Sequence, residues 1–218
     1  MSIPKIDSYL IPYPTETDRV AWDIDPSRCA VLVHDMQNYF VEAYTKDQDP
    51  VALAVRNMQQ ILHAARSQGV PVVYSVQPGD QHPMRRGLLK DFWGAGMSSG
   101  ADTQVIEQLT PHREDIVVTK WRYSAFQRTD LRDLLHRAGR DQLVIMGLYA
   151  HMGCQLTAAE AFMQDIEPFL VYDAIADFSH AEHLGAIDYV AKRCGRSVAS
   201  DYVLDALSGH GVPEVTDA

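Results

Sequence analysis

No stretch of about 18 apolar residues occurs in the chain, which excludes a helix of membrane-spanning length. Cysteine is scarce: Cys29, Cys154 and Cys194 are the only three. They are too few for a disulfide framework and in keeping with a reducing cytoplasm. Positive charge is in deficit, with 19 Lys and Arg against 29 Asp and Glu and a formal net charge of −10. Neither nucleic acid nor an anionic membrane surface is drawn to such a protein. An anionic small molecule would need a local basic pocket. The N-terminus, MSIPKIDSYLIPYP, is too polar and too broken by proline for a signal peptide. Repeats, low-complexity tracts and linkers are also missing. The chain is therefore read as a single domain over 1–218, with 1–28 an extended arm carrying Pro4, Pro12 and Pro14 and 208–218 a flexible tail.

Hydrophobic residues make up 46% and charged residues 22%, enough apolar material for a sizeable core. Short apolar runs alternate with amphipathic stretches. Strands are expected at Ala30–Val33, Val70–Val76, Ile116–Thr119, Leu143–Met146, Phe169–Tyr172 and Ser197–Ala199. Several are continuous apolar runs, as parallel strands covered on both faces require. Asp49 and Pro50 read as N-cap and first residue of a helix with Val51, Val55, Met58, Ile61, Leu62 and Ala65 on one face, ended by Gly69. Ser179 and Glu182 form a capping box ahead of a helix to about Arg193. Gly139 closes a helix that starts near Asp130. This alternation implies an α/β fold: a doubly wound, mostly parallel six-stranded sheet with helices on both faces.

One segment breaks the rhythm. Gln77 to Ala101 separates a strand from the next helix by roughly 25 positions, where two to six are usual. It holds Arg85, Arg86, Lys90, Phe92 and Trp93, a cationic and aromatic excursion in an acidic protein. It reads either as a lid or binding loop or as a solvated surface excursion.

Ligands of doubly wound sheets bind outside the carboxyl ends of the strands. Three places follow apolar runs directly: His34-Asp35-Met36-Gln37, Lys120-Trp121-Arg122-Tyr123, and Gly147 to Cys154. An aspartate continuing VLV is placed to hold or donate a proton from a half-buried position, and equally to cap a helix. Lys120 taken alone reads as a snorkelling surface lysine.

Six blocks in order, VLVHDMQNYF, VVYSVQP, GLLKDFWGAGM, TKWRYSAF, GRDQLVIMGLYAHMGC and DAIADFS, together resemble the isochorismatase family. The resemblance runs from about Ile3 to Leu207. It points to the branch acting on isochorismate or its 2-amino-2-deoxy analogue in siderophore and phenazine pathways. The wider superfamily includes cysteine hydrolases with an Asp–Lys–Cys triad. Registered on GLYAHMGCQLTA, the nucleophile position falls on Gly153, which leaves room for substrate and removes thioester chemistry. Cys154 is then a packing cysteine about 100° around the helix. Asp80-Gln81-His82-Pro83 resembles the start of a metal triad, but the second histidine is replaced by Arg86, which cannot ligate a divalent ion. His180 and His183 read as capping or packing residues. No metal and no cofactor are expected.

The resemblance implies vinyl-ether hydrolysis. Asp35 protonates the terminal methylene carbon, water adds to the resulting oxocarbenium ion, and the hemiketal collapses to pyruvate and a dihydrodiol. Asp35, Lys120 and Gly153 are the implied catalytic positions, with Lys120 orienting Asp35 and the substrate oxygens. Gln77, Arg86 and Tyr149 are implied polar contacts to a dianionic substrate, and Trp93, Phe40 and Tyr123 its apolar walls. Backbone N–H groups around Gly153 could receive negative charge, and Leu148–Ala150 is where a strained peptide is expected. The 2-amino substrate and a cysteine amidohydrolase using Cys154 remain alternatives. The family often forms homodimers, a contact the proline-rich arm could serve, and docking to synthetase subunits is open. SGHGVPEVTDA, after Leu207, carries no phosphopantetheine serine motif, so no carrier role is expected.

Overall fold

The computed structural model describes residues 3–208; from residue 209 onward the expected tail lies outside the described residues. Six strands, β1 (Cys29–His34), β2 (Val72–Val76), β3 (Ile116–Thr119), β4 (Gln142–Leu148), β5 (Glu167–Ala176) and β6 (Arg196–Val198), form one sheet. Their order is β3-β2-β1-β4-β5-β6 and every pairing is parallel. The helices are α1 (Asn38–Val41), α2 (Val51–Ser67), α3 (Pro83–Arg86), α4 (Leu89–Trp93), α5 (Leu131–Arg137), α6 (Gln155–Met163), α7 (His180–Arg193) and α8 (Ser200–Leu207). None of those among the described residues is long and apolar enough to cross a membrane.

Strand alternation divides the core in two. Val31, Val33, Val144 and Met146 face α2 and α8, while Ala30, Leu32, Leu143 and Ile145 face α5, α6 and α7. Both faces of the central strands are covered, which is why their sequences read as unbroken apolar runs. The expected doubly wound sheet is present, and all its strands are parallel rather than most of them.

Helix ends follow the side chains that cap them. The Asp49 carboxylate accepts the Leu53 N–H at 3.1 Å, and Pro50 stands just before the first helical residue of α2. Ser179 Oγ accepts the Glu182 N–H at 3.2 Å and donates to its carboxylate at 2.8 Å, the expected capping box. Gly69 and Gly139 adopt left-handed φ after α2 and α5.

β3 keeps the bounds read from the sequence, β1 and β4 extend a little further at both ends, as Cys29–His34 and Gln142–Leu148, and the other three strands differ as follows. β2 begins at Val72, because Pro71 has no N–H to give a ladder. β5 runs from Glu167 to Ala176, far beyond Tyr172, by a register shift opposite Ile145–Gly147 that carries it past half-buried Tyr172 and Asp173. β6 starts one residue early, at Arg196. The arm is bound along its own chain: Tyr9 accepts the Asp177 N–H (2.7 Å), and Asp18 pairs with Arg196 (3.0 Å). These contacts hold the arm in its extended path against the body of the chain.

In this strand order the sheet reverses between β1 and β4, whose following helices lie on opposite faces. The crevice outside their carboxyl ends is the expected ligand position.

Candidate active site

A pocket of about 580 Å³, counting its open mouth, occupies that crevice. Asp35, Gln77, Arg86, Lys120, Trp93, Phe40, Tyr123, Tyr149 and Gly153, the nine positions implied by the sequence, all line it.

Asp35 follows β1 with a left-handed φ of 52°. Its Oδ2 receives Lys120 Nζ at 2.9 Å and Gln77 Nε2 at 2.9 Å. Its Oδ1 is buried with no protein partner. A carboxyl so held has one oxygen fixed and the other unengaged. Lys120, also buried, makes two further contacts, donating to Arg122 O (2.7 Å) and Tyr123 O (3.3 Å). Its three protons therefore all have acceptors within the protein. The expected contact from Lys120 to substrate oxygens is thus not prepared: the lysine orients Asp35 and the loop after β3.

Gln77 links the acid to a cation. Its Nε2 donates to Asp35 while its Oε1 accepts from Arg86 Nη1 at 3.4 Å. Arg86 is buried and donates to Gly94 O at 3.1 Å, and among the described residues it forms no ion pair with a carboxylate. Burial pushes its guanidinium below the usual arginine range. A buried, unpaired guanidinium on a pocket wall is prepared for an anion. Gly96, with φ 89°, lies flat on it, since a Cβ there would sit 2.9 Å from Cζ.

The long excursion is a lid with structure of its own, α3 and α4, rather than an open loop. Its neck is pinned where Asp80 N–H meets Met97 O at 3.0 Å and Ser99 N–H meets the Asp80 carboxylate at 3.0 Å. Its tip is tied across the pocket, Trp93 Nε1 donating to Tyr123 Oη at 2.7 Å. Asp80 and His82 of the metal-like motif have local duties, His82 Nδ1 capping α3 by accepting the Met84 N–H.

The wall opposite is aromatic. Tyr149 packs against Phe178 (4.5 Å), Phe40 and Tyr44 (both 6.0 Å). Its hydroxyl donates to Phe40 O at 3.1 Å, so the implied polar contact is already engaged and the ring is what faces the pocket. The Leu148–Tyr149 peptide is cis, inside the segment singled out for unusual backbone. A π-helical turn, Ala150–Cys154, then leads into α6. Of the backbone donors expected to receive charge there, His151 N–H goes to the Asp177 carboxylate (2.6 Å) and Cys154 N–H to Tyr149 O (3.2 Å).

Gly153 requires a correction. The space its missing side chain leaves is filled by the His34 imidazole, with Cε1 2.1 Å from where a Cβ would stand, and is not free for substrate. Cys154 lies in the core with Ala158 and Ala161, and burial pushes its thiol well above the usual range. His183 is a packing residue as expected, held by Tyr9 Oη (3.2 Å) and Tyr172 O (2.9 Å).

Sequence reasoning singled out His34-Asp35-Met36-Gln37 but gave no role to His34 or Gln37, and it missed Asp177 and Phe178. Gln37 is fully buried, donates to Gln77 O and Thr103 O and accepts the Gln77 N–H, fixing the strand exit beneath the lid. Polar residues directly continuing an apolar strand, HDMQ, were the available signal.

Residues 29–201 match the Isochorismatase domain family. The isochorismatase of Bacillus subtilis (strain 168) is 48% identical over 210 residues, spanning 95% of this chain and 67% of that protein. A phenazine biosynthesis protein of Pseudomonas fluorescens is 46% identical over 210 residues, 93% of this chain and 98% of that one. Among solved structures, a cysteine hydrolase from Pseudomonas syringae pv. phaseolicola 1448A superposes with a TM-score of 0.81 at 26% identity, covering 89% of this chain and 98% of the other.

Proposed function

The chain belongs to the isochorismatase family, and from that premise we propose that it hydrolyses the enolpyruvyl vinyl ether of isochorismate to pyruvate and 2,3-dihydro-2,3-dihydroxybenzoate. The observation that carries this reading is the asymmetry of Asp35. Lys120 and Gln77 hold Oδ2, while the buried Oδ1 has no partner in a residue that lines the pocket.

In the proposed reaction Oδ1 delivers a proton to the terminal methylene carbon. Carbon is a poor base, so the acid must be close and sheltered from water, as the lid and the aromatic wall provide. The ether-bearing carbon becomes an oxocarbenium ion, whose positive charge the Asp35 carboxylate faces. Water adds to it, the Asp35 carboxylate takes up the proton that water loses, and the hemiketal splits into pyruvate and the ring diol. Arg86 receives a substrate carboxylate, and Gln77 relays its position to Asp35. Phe40, Trp93, Tyr149 and Phe178 bound the apolar sides. No step uses Cys154, a metal or a cofactor. Three free, buried cysteines suit a reducing compartment and support a cytoplasmic location.

The 2-amino-2-deoxy analogue is the second reading, favoured by the 46% identity to the phenazine biosynthesis protein. Pyruvate release from the two substrates, compared at equal concentration, tests the proposal and decides between them. Pyruvate from neither overturns both.

A further inference from the structure

His34, the last residue of β1, is buried and is not used in the proposed chemistry. Its ring spans the exits of three strands. Nδ1 lies 2.6 Å from Leu148 O at the end of β4, and Nε2 lies 3.0 Å from Tyr123 O in the segment after β3. Nδ1 is also 3.9 Å from Asp35 Oδ2. The ring rests on Gly153, where an added Cβ would meet Cε1 at 2.1 Å, Nδ1 at 2.7 Å and Nε2 at 2.9 Å.

We infer that His34 is a positioning residue: a fixed wedge that occupies the side-chain space of residue 153, sets the Leu148 and Tyr123 carbonyls beside the Asp35–Lys120 pair, and makes glycine obligatory at 153. The charged groups facing the ring are Asp35 and Lys120. Burial pushes the imidazole down to about 4, so it is neutral near pH 7 and carries one N–H. One carbonyl can therefore be served by the ring alone. The division of labour is visible: the shorter contact goes to Leu148 O, while Tyr123 O also receives Lys120 Nζ at 3.3 Å. Removing the ring frees the Leu148 carbonyl at the edge of the pocket, leaves Tyr123 O to Lys120 alone, and lets the loop that holds Lys120 drift.

The packing of His34 on Gly153 is independent of the reaction, and only the kinetic arm of the test rests on the proposed activity. The experiment is a double-mutant cycle of His34→Ala and Gly153→Ala, read first by urea midpoint without substrate. In the wild-type background Gly153→Ala lowers the midpoint clearly; in the His34→Ala background it costs little, because the wedge is gone. Effects that simply add overturn the packing claim. His34→Asn takes the place of His34→Ala in the cycle if the alanine variant does not fold.

The kinetic arm separates positioning from bulk stability. His34→Ala lowers kcat for pyruvate release about 30-fold with KM within about threefold, as expected when an orienting hydrogen bond is lost. His34→Asn, which keeps an N–H near the place of Nδ1, recovers several-fold of that loss. An unchanged kcat in His34→Ala, or no recovery in His34→Asn, overturns the positioning role. A wild-type enzyme that released no pyruvate would overturn the proposed function instead, with the urea cycle still deciding on the wedge.

Discussion

Lys120 Nζ stands 2.9 Å from Asp35 Oδ2 with both side chains almost wholly shielded from water, while Asp35 Oδ1 has no protein partner. The pair divides the labour within one carboxyl: one oxygen is anchored and the other is left for chemistry. Asp35→Asn keeps the shape and removes the transferable proton. Its kcat should fall by a factor of about 10³ or more, within the range for general acids. Substrate binding by calorimetry should persist.

The same pair is a structural commitment. Lys120→Met strands the buried Asp35 Oδ2 together with the Arg122 and Tyr123 carbonyls. Removing one partner of a buried pair typically costs about 3–5 kcal/mol. Urea denaturation at neutral pH should show a loss of that order, and a loss below about 1 kcal/mol would mean that water already reaches the pair.

Arg86 should act on binding. Arg86→Gln keeps donors but removes the charge, and KM should rise by about 30-fold, the size of a charge-assisted hydrogen bond. The effect on kcat should be much smaller. Equal losses in kcat and kcat/KM would instead place Arg86 in the transition state alone.

Cys154 should be dispensable. It is fully buried in the core with its thiol driven well above the usual range. Cys154→Ala should retain kcat within about twofold, and iodoacetamide should leave the native enzyme active, since only an accessible thiolate reacts readily. Loss of activity with the fold intact would revive a thiol mechanism.

Acid should destabilise the protein through two histidines. Burial lowers both His34 and His183 from 6.5 to about 4. As pH falls through 6.5 the unfolded chain takes up these protons and the native state does not. The stability they contribute is therefore complete above 6.5 and lost between there and about 4. Over that window they steepen the pH dependence by up to roughly 3 kcal/mol per pH unit. His183→Gln should reduce the proton uptake on unfolding by about one.

How much of this was legible follows from physical range. β1 and β4 could be read because strands buried on both faces must be apolar throughout. The end of β5 could not, because the half-buried Tyr172-Asp173 pair interrupts the run and a register shift across β4 carries the strand on. Asp35, Lys120 and Arg86 were legible through motif order, and they do converge on one pocket. The wedge was not: that the Gly153 vacancy belongs to His34 depends on two residues over a hundred positions apart. Nor does the sequence say that Lys120 spends its protons inside the protein, since two of its acceptors are backbone carbonyls.

The most direct test of general-acid catalysis by Asp35 is pyruvate release from isochorismate in the presence of EDTA, with wild type and Asp35→Asn side by side. Rapid release by the wild type, unaffected by the chelator, is expected, with nearly none by Asp35→Asn. Release by Asp35→Asn at the wild-type rate, or none by the wild type from isochorismate or its 2-amino analogue, would contradict it.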